Sequence, residues 1–154
     1  MNLVEFIRKN DIQARDGSDF DVTPEFRAMK AFERKAYSIK AVPFLDAETD
    51  RPSTFDVRLQ GRMSERWHKK KRRTVRRLYV DRTFRYPGLE GDSTEIDDSV
   101  EAGSTLDEAV QCLGCEIERF LFFKRYDLID YGRYWLNRDL KRCLVLDGEV
   151  VVLD

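Results

Sequence analysis

Histidine, cysteine and long apolar runs are what this sequence has least of. Its 154 residues include one histidine and three cysteines. An odd, low cysteine number is not a disulfide framework; it points to a reducing compartment, and the expected location is the cytoplasm. The N-terminus, MNLVEFIRKNDIQ, has an acid at Glu5 and further charge from Arg8 on, so it lacks an apolar stretch of signal length. No run approaches the roughly 18 apolar residues of a membrane-spanning helix, so a soluble protein with no membrane partner is expected. A phosphate-binding Walker loop, a dinucleotide fingerprint, a nucleophile elbow and an HExxH motif are all missing, which removes the commonest nucleotide-binding and hydrolase classes. There is no internal repeat.

What remains is a chain of one-domain length, expected to fold over residues 1–154. A chain of this size buries about 70% of the surface it exposes when unfolded, so it needs neither metal nor disulfide to fold. The hydrophobic fraction of 42% is ordinary, but charged residues make up 37%, against about a quarter in most globular proteins.

The charges are segregated. The chain totals 28 basic and 29 acidic residues. Residues 62–86 hold 11 basic against 2 acidic side chains, a local +9, and residues 87–118 hold 10 acidic and no basic ones, a local −10. Overall charge therefore says little about partners and local charge says more.

The pattern predicts an α+β fold: about four helices packed mainly on one face of a small antiparallel sheet of about four strands, ending in a hairpin. A short helix is expected over 2–9, with Leu3, Phe6 and Ile7 on one side. DGSDFD at 16–21 is turn-rich. A second helix opens with Thr23 as N-cap and Pro24 in the first turn. It carries Phe26, Met29, Phe32 and Ala36 as an apolar stripe and is stopped by Pro43 near residue 41. Phe55, Val57 and Leu59 alternate with Asp56, Arg58 and Gln60, the period of a half-buried strand over 54–60. The cationic run is expected to be a basic helix or extended arm to about 76, followed by a strand over 77–86. Residues 87–104 are expected to be an acidic surface loop. Thr105 to Glu108 is a capping box opening the best helix, which runs to about 124. Another helix is expected over 128–141. Asp147-Gly148 between apolar runs predicts a type I′ hairpin.

The cationic run RWHKKKRRTVRR has no acid between Glu65 and Asp81. Like charges this dense repel one another, and a phosphate polyanion relieves that repulsion with release of counterions. Trp67, His68, Tyr79, Phe84 and Tyr86 flank the run, and exposed aromatic faces stack on bases, which favours single strands or RNA. The expected nucleic-acid-binding residues are Arg66, Trp67, Lys69, Lys70, Lys71, Arg72, Arg73, Arg76, Arg77, Tyr79, Arg82 and Arg85. The competing reading is a solvated basic face, or one neutralised within the chain by the acidic stretch Glu90, Asp92, Glu95, Asp97, Asp98, Glu101, Asp107 and Glu108; facing outward, the same acids would mimic a nucleic-acid backbone toward another protein.

Other chemistry is weakly indicated. Cys112-x-x-Cys115 has metal-ligand spacing, but it falls inside a predicted helix, and Cys143 and His68 are distant in sequence; small core residues are the simpler reading. His68 has no evident nucleophile or carboxylate partner. The carboxylates Asp16, Asp19 and Asp21, then Asp46, Glu48 and Asp50, suit turns. Asp56, with Glu33 and Arg58, has the residue types of a Mg²⁺-dependent nuclease but no diagnostic spacing. Tyr131, Arg133, Tyr134, Trp135 and Arg138 are residue types that dominate protein interfaces; packing of the last helix explains them equally.

The leading expectation is a small non-catalytic nucleic-acid-binding protein that needs no cofactor or metal and uses residues 66–86 against phosphates. The alternative is a protein-interaction or inhibitor module with a dipolar surface, facing an acidic or basic protein partner; a nuclease comes third.

Overall fold

A computed structural model describes residues 1–10, 24–88 and 91–153. The turn expected at 16–21, the acids Asp16, Asp19 and Asp21, and the Thr23 cap lie outside these residues. The elements, in order, are α1 (Leu3–Lys9), α2 (Pro24–Arg34), β1 (Ala36–Asp46), β2 (Arg51–His68), β3 (Arg73–Pro87), β4 (Ser93–Gly103), α3 (Leu106–Tyr126), β5 (Ile129–Asp130), β6 (Trp135–Leu136), β7 (Arg142–Leu146) and β8 (Glu149–Val152). β1 to β4 form a four-stranded antiparallel sheet in the order β1-β2-β3-β4, and β5 to β8 form a second small sheet in sequence order. The α+β class and the C-terminal hairpin are as the sequence predicts. Among the described residues there are three helices, none long and apolar enough to cross a membrane.

Each element follows from local chemistry, including those that depart from expectation. α2 stops at Arg34 rather than near 41. Beyond it, Tyr37, Ile39 and the β-branched Val42 suit an extended chain. Pro43 lies inside β1, an edge strand, where a missing N–H is tolerated. Ala41 takes φ 59° and donates its N–H to Asp56 Oδ1 at 2.9 Å, so the Asp56 carboxylate holds an irregularity in β1. Within α2 the apolar stripe runs through Ala28 and Phe32, both fully buried, whereas Phe26 is exposed.

The long strands change the reading of the charged segments. β2 continues through 68 and β3 starts at 73, so the basic run is a hairpin, not a helix or arm. Residues 93–103 are strand β4, not a loop. Their acidity masks an alternation of Thr94, Ile96, Asp98, Val100 and Ala102 against Glu95, Asp97, Ser99 and Glu101. The helix expected over 128–141 is absent: Asp127, Gly132 and Leu140 all have positive φ, and Asn137 Oδ1 accepts from the N–H groups of Asp139 and Lys141. Turn chemistry outweighs helical spacing there. Thr105 caps α3 as expected, its Oγ1 accepting from Glu108 N–H at 3.2 Å and donating to Glu108 Oε1 at 2.7 Å. At the hairpin, Asp147 and Gly148 have φ 49° and 77°, as a type I′ turn requires.

By internal contacts the chain divides into two compact units, and the long strands and α3 contribute residues to both. The first comprises Met1–Tyr37, Arg58–Arg82 and Asp97–Glu116; the second comprises Ser38–Val57, Thr83–Ile96 and Ile117–Asp154. The core of the first is built from Phe6, Phe32, Leu59, Leu78, Val80, Val110 and Leu113. In the second, Val42, Phe55, Val57, Phe120, Phe123, Leu128 and Ile129 are buried, and Phe55 meets Phe44, Phe84 and Phe120 edge-on at 5.6–6.0 Å.

One close approach fixes α2 on β2. A Cβ at Gly61 would collide with the Phe32 ring and come within 2.5 Å of the Phe32 carbonyl oxygen. The adjacent Gln60 Nε2 donates to the Glu33 carbonyl at 2.6 Å. Gly61→Ala is therefore expected to lower stability by about 1–3 kcal/mol through overpacking, measured by urea denaturation; an unchanged midpoint would show that α2 docks with slack.

Candidate nucleic-acid interface

The basic residues separate into two populations according to whether a carboxylate faces them. Five arginines of β2 and β3 are paired with carboxylates on β2, β3, β4 or α3. Arg77 bonds Glu101, and Arg62 reaches Asp81 at 2.9 Å while its guanidinium lies 4.4 Å from the Tyr79 ring centroid. Arg76 bonds Glu65 at 3.2 Å across the hairpin. In the second unit Arg85 bonds Glu95 at 2.8 Å.

Arg82 forms the most buried of these pairings. Its side chain is 17% exposed and takes both Asp98 oxygens at 2.6 Å and Glu116 Oε2, on α3, at 3.1 Å. The alternation of β3 puts Arg82 on the same side as Leu78 and Val80, so it points toward the core face and needs its counter-charges. The hydrogen bonds to Asp98 hold the guanidinium pKa above its usual value, and the same bonds hold the Asp98 carboxyl below the usual carboxylate range.

At the hairpin end the picture reverses. Residues 69–72 form the turn, with Arg72 at φ 48° and the Lys71 N–H donating to His68 Nδ1 at 3.2 Å. His68 thus closes the turn. Arg66, Lys69, Lys70, Lys71, Arg72 and Arg73 are all exposed, and none of them forms a salt bridge among the described residues. Trp67, 61% exposed, lies on β2 just before the turn, on the strand face opposite Arg66. A shallow depression of about 330 Å³ lies along the adjoining strands, lined by Ser64, Arg66, Val75, Arg77, Tyr79 and Glu101.

Of the twelve residues that the sequence singles out, seven therefore gather at one end: Arg66, Trp67, Lys69, Lys70, Lys71, Arg72 and Arg73. Arg76, Arg77, Arg82 and Arg85 are engaged by carboxylates, and Tyr79 lies against Arg62. Phe84 and Tyr86 belong to the aromatic cluster of the second unit, whereas the Trp67 ring is exposed. The part played by Glu116 is not legible in the sequence. It lies three residues after Leu113 and seven after Ala109, both fully buried, and that helical spacing hints at an inward orientation. Nothing in the sequence connects it to Arg82.

The 131–138 segment divides as well. Trp135 packs on Phe122 and Phe123 at 4.9 and 5.9 Å between ring centroids, and Arg138 bonds Asp127 at 2.9 Å. Tyr131 and Tyr134 are 50% and 40% exposed with centroids 5.5 Å apart, and Arg133 is exposed. Among the described residues, no three His, Cys, Asp or Glu side chains are grouped to hold a metal, so neither the Cys112, Cys115, Cys143 and His68 set nor the acids around Asp56 assemble as such a group. Burial, the largest cause, pushes the Cys112 thiol above its usual pKa, and Cys143 is buried. Asp46 Oδ1 accepts from Glu48 N–H at 2.9 Å, the turn role expected of it. Comparison with protein-family models, curated proteins and solved structures returns no match.

Removing Arg82 leaves Asp98 and the half-buried Glu116 without their cation. Arg82→Met is expected to cost about 2–3 kcal/mol, less than the loss for a fully buried pair because Asp98 faces water. Asp98 has a folded pKa below its unfolded value of 3.8. Its contribution is therefore complete at neutral pH and is lost as pH falls below about 4. Asp98→Asn is expected to flatten that acid limb in thermal melts taken across the range; an unaltered limb would contradict the assignment.

Proposed function

We propose that the protein binds nucleic acid through the end of the β2–β3 hairpin, with the phosphate backbone on Arg66 and Lys69 to Arg73 and Trp67 stacking on a base. The sorting of charge supports this reading above all: Arg62, Arg76, Arg77, Arg82 and Arg85 on the strands meet carboxylates, while six exposed cations at the turn and its two flanks have no salt bridge among the described residues. Grouping them costs the folded chain repulsion that is unrelieved locally. A polyanion relieves it, and displaced counterions supply the affinity. The paired arginines then belong to the fold, and the proposed contact set is narrower than residues 66–86.

Single strands or RNA are the preferred ligands because Trp67 offers an exposed aromatic face beside the charge. Contact with backbone and stacking implies little sequence preference. A protein of this kind needs no cofactor, and its chemistry is compatible with a cytoplasmic setting.

Titration of a labelled single-stranded oligonucleotide at rising salt is expected to give a log–log slope of about −3 to −4 if five phosphates are engaged. Changing Lys70, Lys71 and Arg72 together to Ser should flatten the slope and leave thermal stability unchanged or raised. Trp67→Ala should weaken binding by about 1–3 kcal/mol. Arg77→Ala should have little effect on either. No binding at low salt, or binding that survives the triple change, would sink the proposal.

A further inference from the structure

The C-terminal hairpin is unusually apolar for an exposed element. Leu144, Leu146, Val150, Val151, Val152 and Leu153 are each 38–56% exposed. β8 is the last strand of its sheet, and all four of its residues are exposed. Edge strands are ordinarily blunted by Lys, Pro, a bulge or an inward charge. β8 begins with one charge, Glu149, but residues 150–153 (VVVL) carry no Lys, Pro or other charge, and the register over Glu149–Val152 is uninterrupted by a bulge.

The register shows which backbone groups face the open edge. Leu146 pairs with Glu149 across the two-residue turn, and Leu144 pairs with Val151. Residues flanking such a turn exchange hydrogen bonds, and the pattern alternates from there. Glu149 and Val151 therefore bond inward to β7, as does Leu153, whose N–H donates to the Arg142 carbonyl at 2.9 Å. Val150 and Val152 turn their N–H and C=O groups outward.

We propose that β8 pairs antiparallel with β8 of a second copy of this chain, giving a two-fold dimer centred on Val151. In that register Val150 of each copy faces Val152 of the other, and all four outward N–H and C=O pairs close into hydrogen bonds. Val151 meets its own counterpart. Glu149 faces Leu153 of the second copy, whose strand neighbour on the same face is Arg142, so acid approaches base on both sides of the axis. Val151 and Leu153 share one face with Leu144 and Leu146, and Val150 and Val152 share the other, so pairing sets apolar side chains of the two copies beside each other on both faces. A two-fold pairing also closes on itself, because it uses the β8 edge of both copies.

Sedimentation equilibrium is expected to show a reversible, concentration-dependent monomer–dimer equilibrium. Val150→Pro removes an outward N–H while leaving the bonds to β7, and should weaken the dimer at least tenfold with the far-UV spectrum unchanged. Val151→Cys, in a background with Cys115→Ser, should form an interchain disulfide on mild oxidation, since residues facing each other at a non-hydrogen-bonded position lie within bridging distance. Val150→Cys in the same background should cross-link more slowly. A monomer at every concentration would overturn the proposal. So would a dimer in which Val151→Cys fails to cross-link, whether or not Val150→Pro folds.

Discussion

A strand as basic as β3 can lie inside a sheet only if carboxylates meet it. Like charges on neighbouring strands destabilise a sheet, and opposite ones support it. β4 supplies Asp98 to Arg82 and Glu101 to Arg77, and α3 adds Glu116. The exposed pairs contribute little individually. Arg82 is different, because it points toward the core face and would be a half-buried cation without them. The acidic segment is thus a structural partner of the basic one, which explains why the two are adjacent in sequence and opposite in sign.

The same pairing defines what is left over. β4 matches the strand portion of the hairpin, while the turn carries cations that no described carboxylate bonds. This separates charge required by the fold from charge that the fold tolerates. The proposed ligand contact rests on the second kind, and Trp67 is the aromatic group exposed beside it. The C-terminal hairpin presents a parallel case in apolar terms: exposed Val and Leu at an unpaired edge contribute little to a single chain and are suited to another.

Periodicity made much of the fold legible. Alternation at 54–60, the capping box at Thr105 and the Asp147-Gly148 turn each led to the element found. Charge obscured the rest. Alternation in 93–103 is present in Thr94, Ile96, Val100 and Ala102, but the intervening acids resemble a loop. The basic run carries both helical and strand spacing, and only pairing with β2 and β4 decides between them. For the site, residue types identified the cationic cluster; which cations were already engaged depended on tertiary contacts, Glu116 above all. Pro43 and Ala41 show the same limit, since an edge position and a bond to Asp56 outweigh local preference.

Whether the hairpin turn is the contact surface can be read residue by residue from backbone amide NMR shifts during titration with a short single-stranded oligonucleotide. Perturbations are expected to concentrate at residues 66–73, with the Trp67 indole N–H among them, while β4 amides around Asp98 and Glu101 stay in place. Shifts centred on β4, or on the C-terminal hairpin with the 66–73 amides unmoved, would contradict the sorting of charge into structural and ligand-binding sets.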